Sequence, residues 1–228
     1  MKYMGSKNRH SKEILSVIPY REDGQWWVEP FVGGANLIDK VGGNRLGSDS
    51  HSYLISLWKS VSNGWTPPEK ITEDEYNHIK NNKSLYPSEL VGYVGFAVSY
   101  GGKWWGGWSR NRSGKRDYVN EAYRNAEKQF KHLLGVKFVC CEYDELDIPS
   151  SSLIYCDPPY KGTTGYSSMF DHDKFYDWCR KMKCDGHTIF VSEYNMPEDF
   201  KCVWQKDVCS SLTSDTGSKK NVEKLFTL

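Results

Sequence analysis

Several features are missing from this chain of 228 residues, and each absence closes off a class of function. No apolar run approaches the roughly 18 residues needed to span a bilayer, and Met1 to Lys7 lacks the apolar core of a secretory leader. The seven cysteines are odd in number and show no C-x-x-C spacing; Cys140 and Cys141 are adjacent, so in a strand they face opposite ways. Reduced thiols in a cytosolic protein are therefore expected. No H-x-x-x-H pair occurs, which argues against a metal site, and His172 between Asp171 and Asp173 suits a helix start better than a ligand set. No G-x-G-x-x-G fingerprint appears, which disfavours nicotinamide and flavin enzymes. None of the cysteines follows a proline, which disfavours the cysteine nucleophile of a cytosine-C5 methyltransferase. The formal net charge is only +1, so any nucleic-acid binding must come from local clustering. Repeats, low-complexity tracts and long linkers are also missing.

What remains is an alternation of short strand-like runs with helical segments. Helices are expected over 11–18, 35–41, 53–61, 117–134 and 173–182, with a capping box at Thr72-Glu73-Asp74-Glu75 opening another. Strand-like runs cover 26–28, 45–49, 136–141, 153–156, 188–192 and 222–226. Such alternation indicates an α/β sheet of mostly parallel strands with helices on both faces. Residues 63–135 differ in composition and read as an insertion between two parts of the sheet domain, 1–62 and 136–228.

Three segments carry chemistry. Asp157-Pro158-Pro159-Tyr160 directly follows the run 153–156, placing it at the carboxyl end of a strand, where open α/β sheets bind ligands. The two prolines fix φ and remove two backbone donors, leaving the Asp157 carboxylate and the Pro158 carbonyl as a rigid acceptor pair for an amine. Tyr160 offers a face for stacking a base; a strand-ending turn with a packed tyrosine is the plainer alternative. In Glu29-Pro30-Phe31-Val32-Gly33-Gly34-Ala35-Asn36, glycines between a strand and a helix let a ligand approach the backbone. Asp49, at the end of the next strand, stands where an acid can take ribose hydroxyls. The third segment, 101–116, packs Lys103, Arg110, Arg112, Lys115 and Arg116 among Trp104, Trp105 and Trp108, with no acid. Its cations can neutralise phosphates, and Arg or Asn111 can read base edges; a solvated loop anchored by its tryptophans is the alternative.

In their order along the chain, these segments resemble the DNA N6-adenine methyltransferases of the Dam type over nearly the whole length. The resemblance implies a Rossmann-like class I methyltransferase sheet carrying an inserted target-recognition region at 63–135. It assigns Tyr3 and Lys7, of an aromatic-x-Gly-x-Lys pattern, to the cofactor S-adenosylmethionine, together with Phe31, Gly33, Gly34, Asp49, Tyr143, Asp144 and Asp157. The catalytic set would be Asp157, Pro158, Pro159 and Tyr160, with no metal. Lys103, Trp104, Trp105, Arg110, Asn111, Arg112, Lys115 and Arg116 would meet double-stranded DNA, and the stretch from Lys219 to Phe226 would form the closing strand and its loop. Ala35 departs from the family's Phe-x-Gly-x-Gly and should alter loop packing slightly. The implied enzyme turns an adenine out of the duplex and acts in the bacterial cytoplasm, at the nucleoid, as a monomer or weak dimer. A solitary or phage-type role in protecting DNA would follow. Methylation of cytosine N4, an RNA amino-methyltransferase, and a catalytically silent DNA-binding protein stay open as alternatives.

Overall fold

The computed structural model describes residues 1–110, 116–161, 170–209 and 220–228. Its centre is a seven-stranded sheet: β1 (Trp26–Glu29), β2 (Asn44–Asp49), β3 (Lys137–Cys140), β4 (Leu153–Cys156), β5 (Thr188–Glu193), β6 (Lys201–Cys209) and β7 (Lys220–Thr227). The strand order is β3-β2-β1-β4-β5-β7-β6. The first five strands are mutually parallel, and β7 runs antiparallel to both β5 and β6. The order reverses between β1 and β4, which opens a ligand crevice at the carboxyl ends of those strands. This is the expected α/β sheet of mostly parallel strands.

Strand positions alternate between two cores. Trp27, Leu153, Tyr155 and Phe190 face one cluster, whereas Val28, Ile154, Cys156 and Val191 face the other. All of β4 is buried, as a parallel strand covered on both faces must be, which explains its unbroken apolar run. The first cluster is covered by α1 (Ser11–Val17), α2 (Ser52–Ser62), α3 (Glu73–Asn81), α4 (Ser88–Phe96) and α5 (Tyr118–Phe130). The second is covered by α6 (His172–Cys184), through Phe175, Trp178 and Cys179.

Local chemistry sets the helix ends. Thr72 and Glu75 form a reciprocal capping box on α3, and Asp117 caps α5 by accepting from the amides of Val119 and Asn120. Asp171 caps α6, so His172 begins a helix as its neighbours suggested. In α2, Leu54, Leu57, Trp58 and Val61 form the buried stripe of an amphipathic helix. That helix meets α4 closely at Gly92, where a Cβ would lie 2.2 Å from the Tyr53 carbonyl oxygen. Residues of the 63–135 region, among them Tyr76, Val91 and Phe130, share the same core as Trp58 and Leu153.

Three elements depart from expectation. Helical structure over 35–41 shrinks to one 3-10 turn at Ile38–Lys40, because Ala35 is left-handed (φ 52°) and too few residues remain to propagate a helix. α4 was hidden by two glycines in an apolar stretch. The polar edge strand β6 carries no continuous apolar signal.

Candidate active site

The carboxyl ends of β1, β2, β4 and β5 meet along one edge, and the chain brings four separated segments there. Asp157 follows β4, and Lys7 reaches it from the N-terminal loop with Nζ 3.1 Å from Oδ1. Lys7 also lies 3.6 Å from Glu223 of β7 and 4.5 Å from the centre of the Tyr160 ring. The Tyr160 hydroxyl donates to Glu223 at 2.9 Å, and Tyr194 packs its ring edge-on against Tyr160 at 4.7 Å. Burial opposes the charge on Lys7, yet the Asp157 and Glu223 carboxylates outweigh it and hold the ammonium above its ordinary range. Burial raises the Asp157 carboxyl, and Lys7 pulls it back. One buried cation thus keeps an otherwise costly acceptor available.

Glu193 closes the arrangement from β5. Its carboxylate accepts from the amide of Lys161 at 3.2 Å, just past the Asp-Pro-Pro-Tyr motif, and from that of Tyr194 at 2.8 Å. Burial pushes it up to about 7, against the pull of those two amides. Neither Glu193 nor Glu223 stood out in the sequence. The only available signal was position: Glu193 ends an apolar strand, and Glu223 sits in the closing strand.

Beside this cluster lies the glycine loop after β1. The Gly33 amide donates to Asp49 Oδ2 at 3.2 Å and the His51 amide to Oδ1 at 3.0 Å. Burial raises the Asp49 carboxyl above its usual range, while the two amides hold it back. Each carboxylate oxygen keeps a further lone pair, so the residue fits a vicinal diol at the end of β2. Tyr3 lies directly on the loop: a Cβ at Gly33 would stand 2.8 Å from its ring, and one at Gly34 would stand 2.6 Å from its Cβ. The glycines are required by that contact as well as by Gly33's positive φ of 45°. Ala35 takes φ 52° without a glycine's freedom, at a cost of about 1–2 kcal/mol.

Farther along the edge, Phe31 stacks on Tyr143 at 5.3 Å, and Phe170 meets both rings. Asp144 pairs with Lys174 at 2.6 Å, which holds its carboxyl below the usual range. Phe31, Tyr143 and Asp144 thus form one aromatic wall with an acid at its rim, next to Asp49's strand end.

The 101–116 segment divides into two parts. Trp104 packs inward on Gly95, where a Cβ would be 2.2 Å from its ring, and against His51 at 4.4 Å. Trp105 meets Tyr76 at 5.1 Å and receives the Lys83 ammonium over its ring. Both tryptophans are half-buried and serve packing, as the solvated-loop alternative supposed for its anchors. Lys103 and Arg110 are exposed, and Arg110 is paired with Glu73. Arg116 pairs with Glu121 at 2.7 Å and lies over Tyr118. Asn111, Arg112 and Lys115 lie outside the described residues. The Met4 amide donates to the Gly102 carbonyl at 3.3 Å, tying this segment to the loop that delivers Lys7. Among the described residues, no cluster of His, Cys, Asp and Glu suits a metal ion, and no helix is long and apolar enough to cross a membrane.

Residues 3–91 match the family of D12 class N6 adenine-specific DNA methyltransferases. The chain is 24% identical to the Type II methyltransferase M.FokI of Planomicrobium okeanokoites, a match covering 79% of this chain and 31% of that protein. It therefore spans about a third of that relative's length. Solved structures that align with it include SMU.472 in complex with SAH (10% identity, 99% of this chain and 53% of that one, TM-score 0.42). HI0767 of Haemophilus influenzae also aligns (10% identity, 95% and 86%, TM-score 0.36). The matched span 3–91 contains Tyr3, Lys7, the Phe31–Gly34 loop and Asp49, the residues that this chain shares with the D12 class pattern.

Proposed function

We propose that this chain moves a methyl group from S-adenosylmethionine to N6 of an adenine in double-stranded DNA, the base having been turned out of the duplex. One observation carries the reading. A buried lysine from the N-terminal loop holds Asp157 of the Asp-Pro-Pro-Tyr motif at 3.1 Å, beside the Tyr160 ring and next to the glycine loop and Asp49. An adenine amine is shielded in the duplex, which is why extrusion is required.

When bound, the cofactor supplies the methyl group on an electrophilic sulfonium. Asp49 would take the ribose hydroxyls, Phe31 and Tyr143 would hold the cofactor's adenine, and Gly33 and Gly34 would let it approach the backbone. Tyr160 stacks on the target base, held by its hydrogen bond to Glu223. Asp157 and the Pro158 carbonyl accept hydrogen bonds from N6 and turn its lone pair toward the methyl group. N6 would take the methyl group that the cofactor supplies, leaving a neutral thioether, and would then pass one proton to solvent. Lys7 works against the burial that raises the Asp157 carboxyl. Positioning and fixed charge supply the catalysis, and the chain forms no covalent intermediate. Lys103, Arg110 and Arg116 would meet phosphates, with Trp104 and Trp105 supporting them from within; Asn111, Arg112 and Lys115 take part in this reading by sequence alone.

The test is transfer of labelled methyl from S-adenosylmethionine to unmethylated DNA, followed by nucleoside analysis. N6-methyladenine is the expected product, and Asp157→Ala should abolish it while leaving DNA affinity within a few-fold, because phosphate contacts supply most of that affinity. Labelled N4-methylcytosine, or label in RNA alone, would reject the adenine-in-DNA assignment. A fully active Asp157→Ala would reject the catalytic one.

A further inference from the structure

Gln129 is a polar residue on the apolar face of α5, 5% exposed and flanked by the buried Ala122, Ala126 and Phe130. A buried amide is costly unless its hydrogen bonds are made, and here its donor is spent on a single loop. Its Nε2 donates to the Gly34 carbonyl at 3.0 Å and the Ala35 carbonyl at 2.8 Å, and reaches Asn36 Oδ1 at 3.5 Å. Its Oε1 accepts from the Met1 amino group. The preceding carbonyl, of Gly33, accepts from Trp58 Nε1 at 2.9 Å. Three successive carbonyls of the glycine loop are thus drawn back by side chains of α2 and α5.

The loop needs such a restraint because Ala35 is left-handed, a conformation that persists in a non-glycine residue only where its surroundings over-determine it. Released, Ala35 would relax toward right-handed φ. That would swing the peptide at Gly34 and with it the Gly33 amide that Asp49 accepts. We propose that Gln129 is a positioning residue: it holds the glycine loop in its cofactor-receiving shape and compensates for alanine where glycine would be relaxed. This rests on the loop's being the cofactor site.

Calorimetric binding of S-adenosylhomocysteine to the full chain tests it, with Gln129→Met, Ala35→Gly and the double variant compared with the unaltered protein. Loss of two neutral hydrogen bonds should weaken binding by Gln129→Met about tenfold or more. Ala35→Gly alone should change affinity less than about threefold, yet in the Gln129→Met background it should restore most of the loss, because glycine needs no restraint at that φ. A residue that merely stabilised the fold would lower the melting temperature without a glycine rescue of affinity. Wild-type affinity in Gln129→Met, or a double variant as weak as the single, overturns the inference while leaving the cofactor site standing. Failure of the unaltered protein to bind overturns both. Should Gln129→Met not fold, Gln129→Glu keeps the shape and loses the donor. It should weaken binding, and Ala35→Gly in that background should restore most of the loss; unchanged affinity, or no restoration, overturns the inference.

Discussion

Glu29 ends β1 with a carboxyl that is 3% exposed and accepts from Trp27 Nε1 at 2.7 Å. Burial pushes it up to about 8, the Trp27 hydrogen bond works against that, and the charges of Asp39 and Asp157 add to it. In the unfolded chain the same group gives up its proton near 4.5. Between about 4.5 and 8 the folded state therefore binds a proton that the unfolded state lacks, so stability falls as pH rises, by about 1.4 kcal/mol per unit. From about pH 5 to about pH 8 the loss comes to about 4 kcal/mol, a sizeable part of a typical 5–15 kcal/mol total. Glu29→Gln leaves the shape and the acceptor for Trp27 in place and removes the titration. The variant should match wild type near pH 5 and exceed it by about 3–4 kcal/mol near pH 8. Urea unfolding followed by tryptophan fluorescence at several pH values measures this, and subtracting wild type from variant cancels every other titrating group. A difference that did not change with pH, or a variant weaker than wild type at pH 8, would refute the assignment of Glu29 as a buried neutral acid.

Lys7→Met should cost about 3–5 kcal/mol of stability at neutral pH and at least a hundredfold in methyl transfer, by about the scale of a lost electrostatic partner. With its cation gone, burial alone would act on Asp157 and raise its carboxyl further, so the variant should regain stability as pH falls; denaturation at pH 5 against pH 8 shows it, and a constant deficit counts against the pairing. Gly92→Ala puts a methyl 2.2 Å from the Tyr53 carbonyl, and thermal melting should register about 1–3 kcal/mol of overpacking; an unchanged melt would mean α2 and α4 separate freely. Glu73→Gln and Glu121→Gln release Arg110 and Arg116 from exposed pairs. Both cations are then free to meet phosphates, so DNA affinity should rise a few-fold at low salt with a steeper salt dependence; affinity indifferent to both changes would move the DNA surface elsewhere.

Motifs at strand ends were legible because their chemistry is local. Asp157 follows β4, whose unbroken apolar letters announce it, and Asp49 ends β2, so both stand at a strand's carboxyl end. Glu193 and Glu223 were not legible, since a carboxylate in β5 or β7 becomes a site residue only through pairing that joins Glu193 to Lys224 across the sheet. Gln129 lies 94 residues from the carbonyl of Ala35 that it holds, and no periodicity encodes such a contact. Trp104 and Trp105 illustrate the opposite difficulty. Their place beside lysine and arginine suggests a surface, whereas Gly95 leaves a slot that only the fold reveals. Ala35 read as a mild departure from a glycine pattern, and its left-handed φ shows the backbone kept the glycine shape regardless.

The hydrogen bond from Tyr160 to Glu223 has a consequence for synthesis. Lys7 emerges from the ribosome early, Asp157 and Tyr160 much later, and Glu223 later still, on a strand that must insert between β5 and β6. Contacts so distant in sequence form slowly, because the loop-closure cost falls due before they return anything. A nascent chain can therefore hold a folded β1–β5 sheet and still lack the anchor that Glu223 gives to Tyr160.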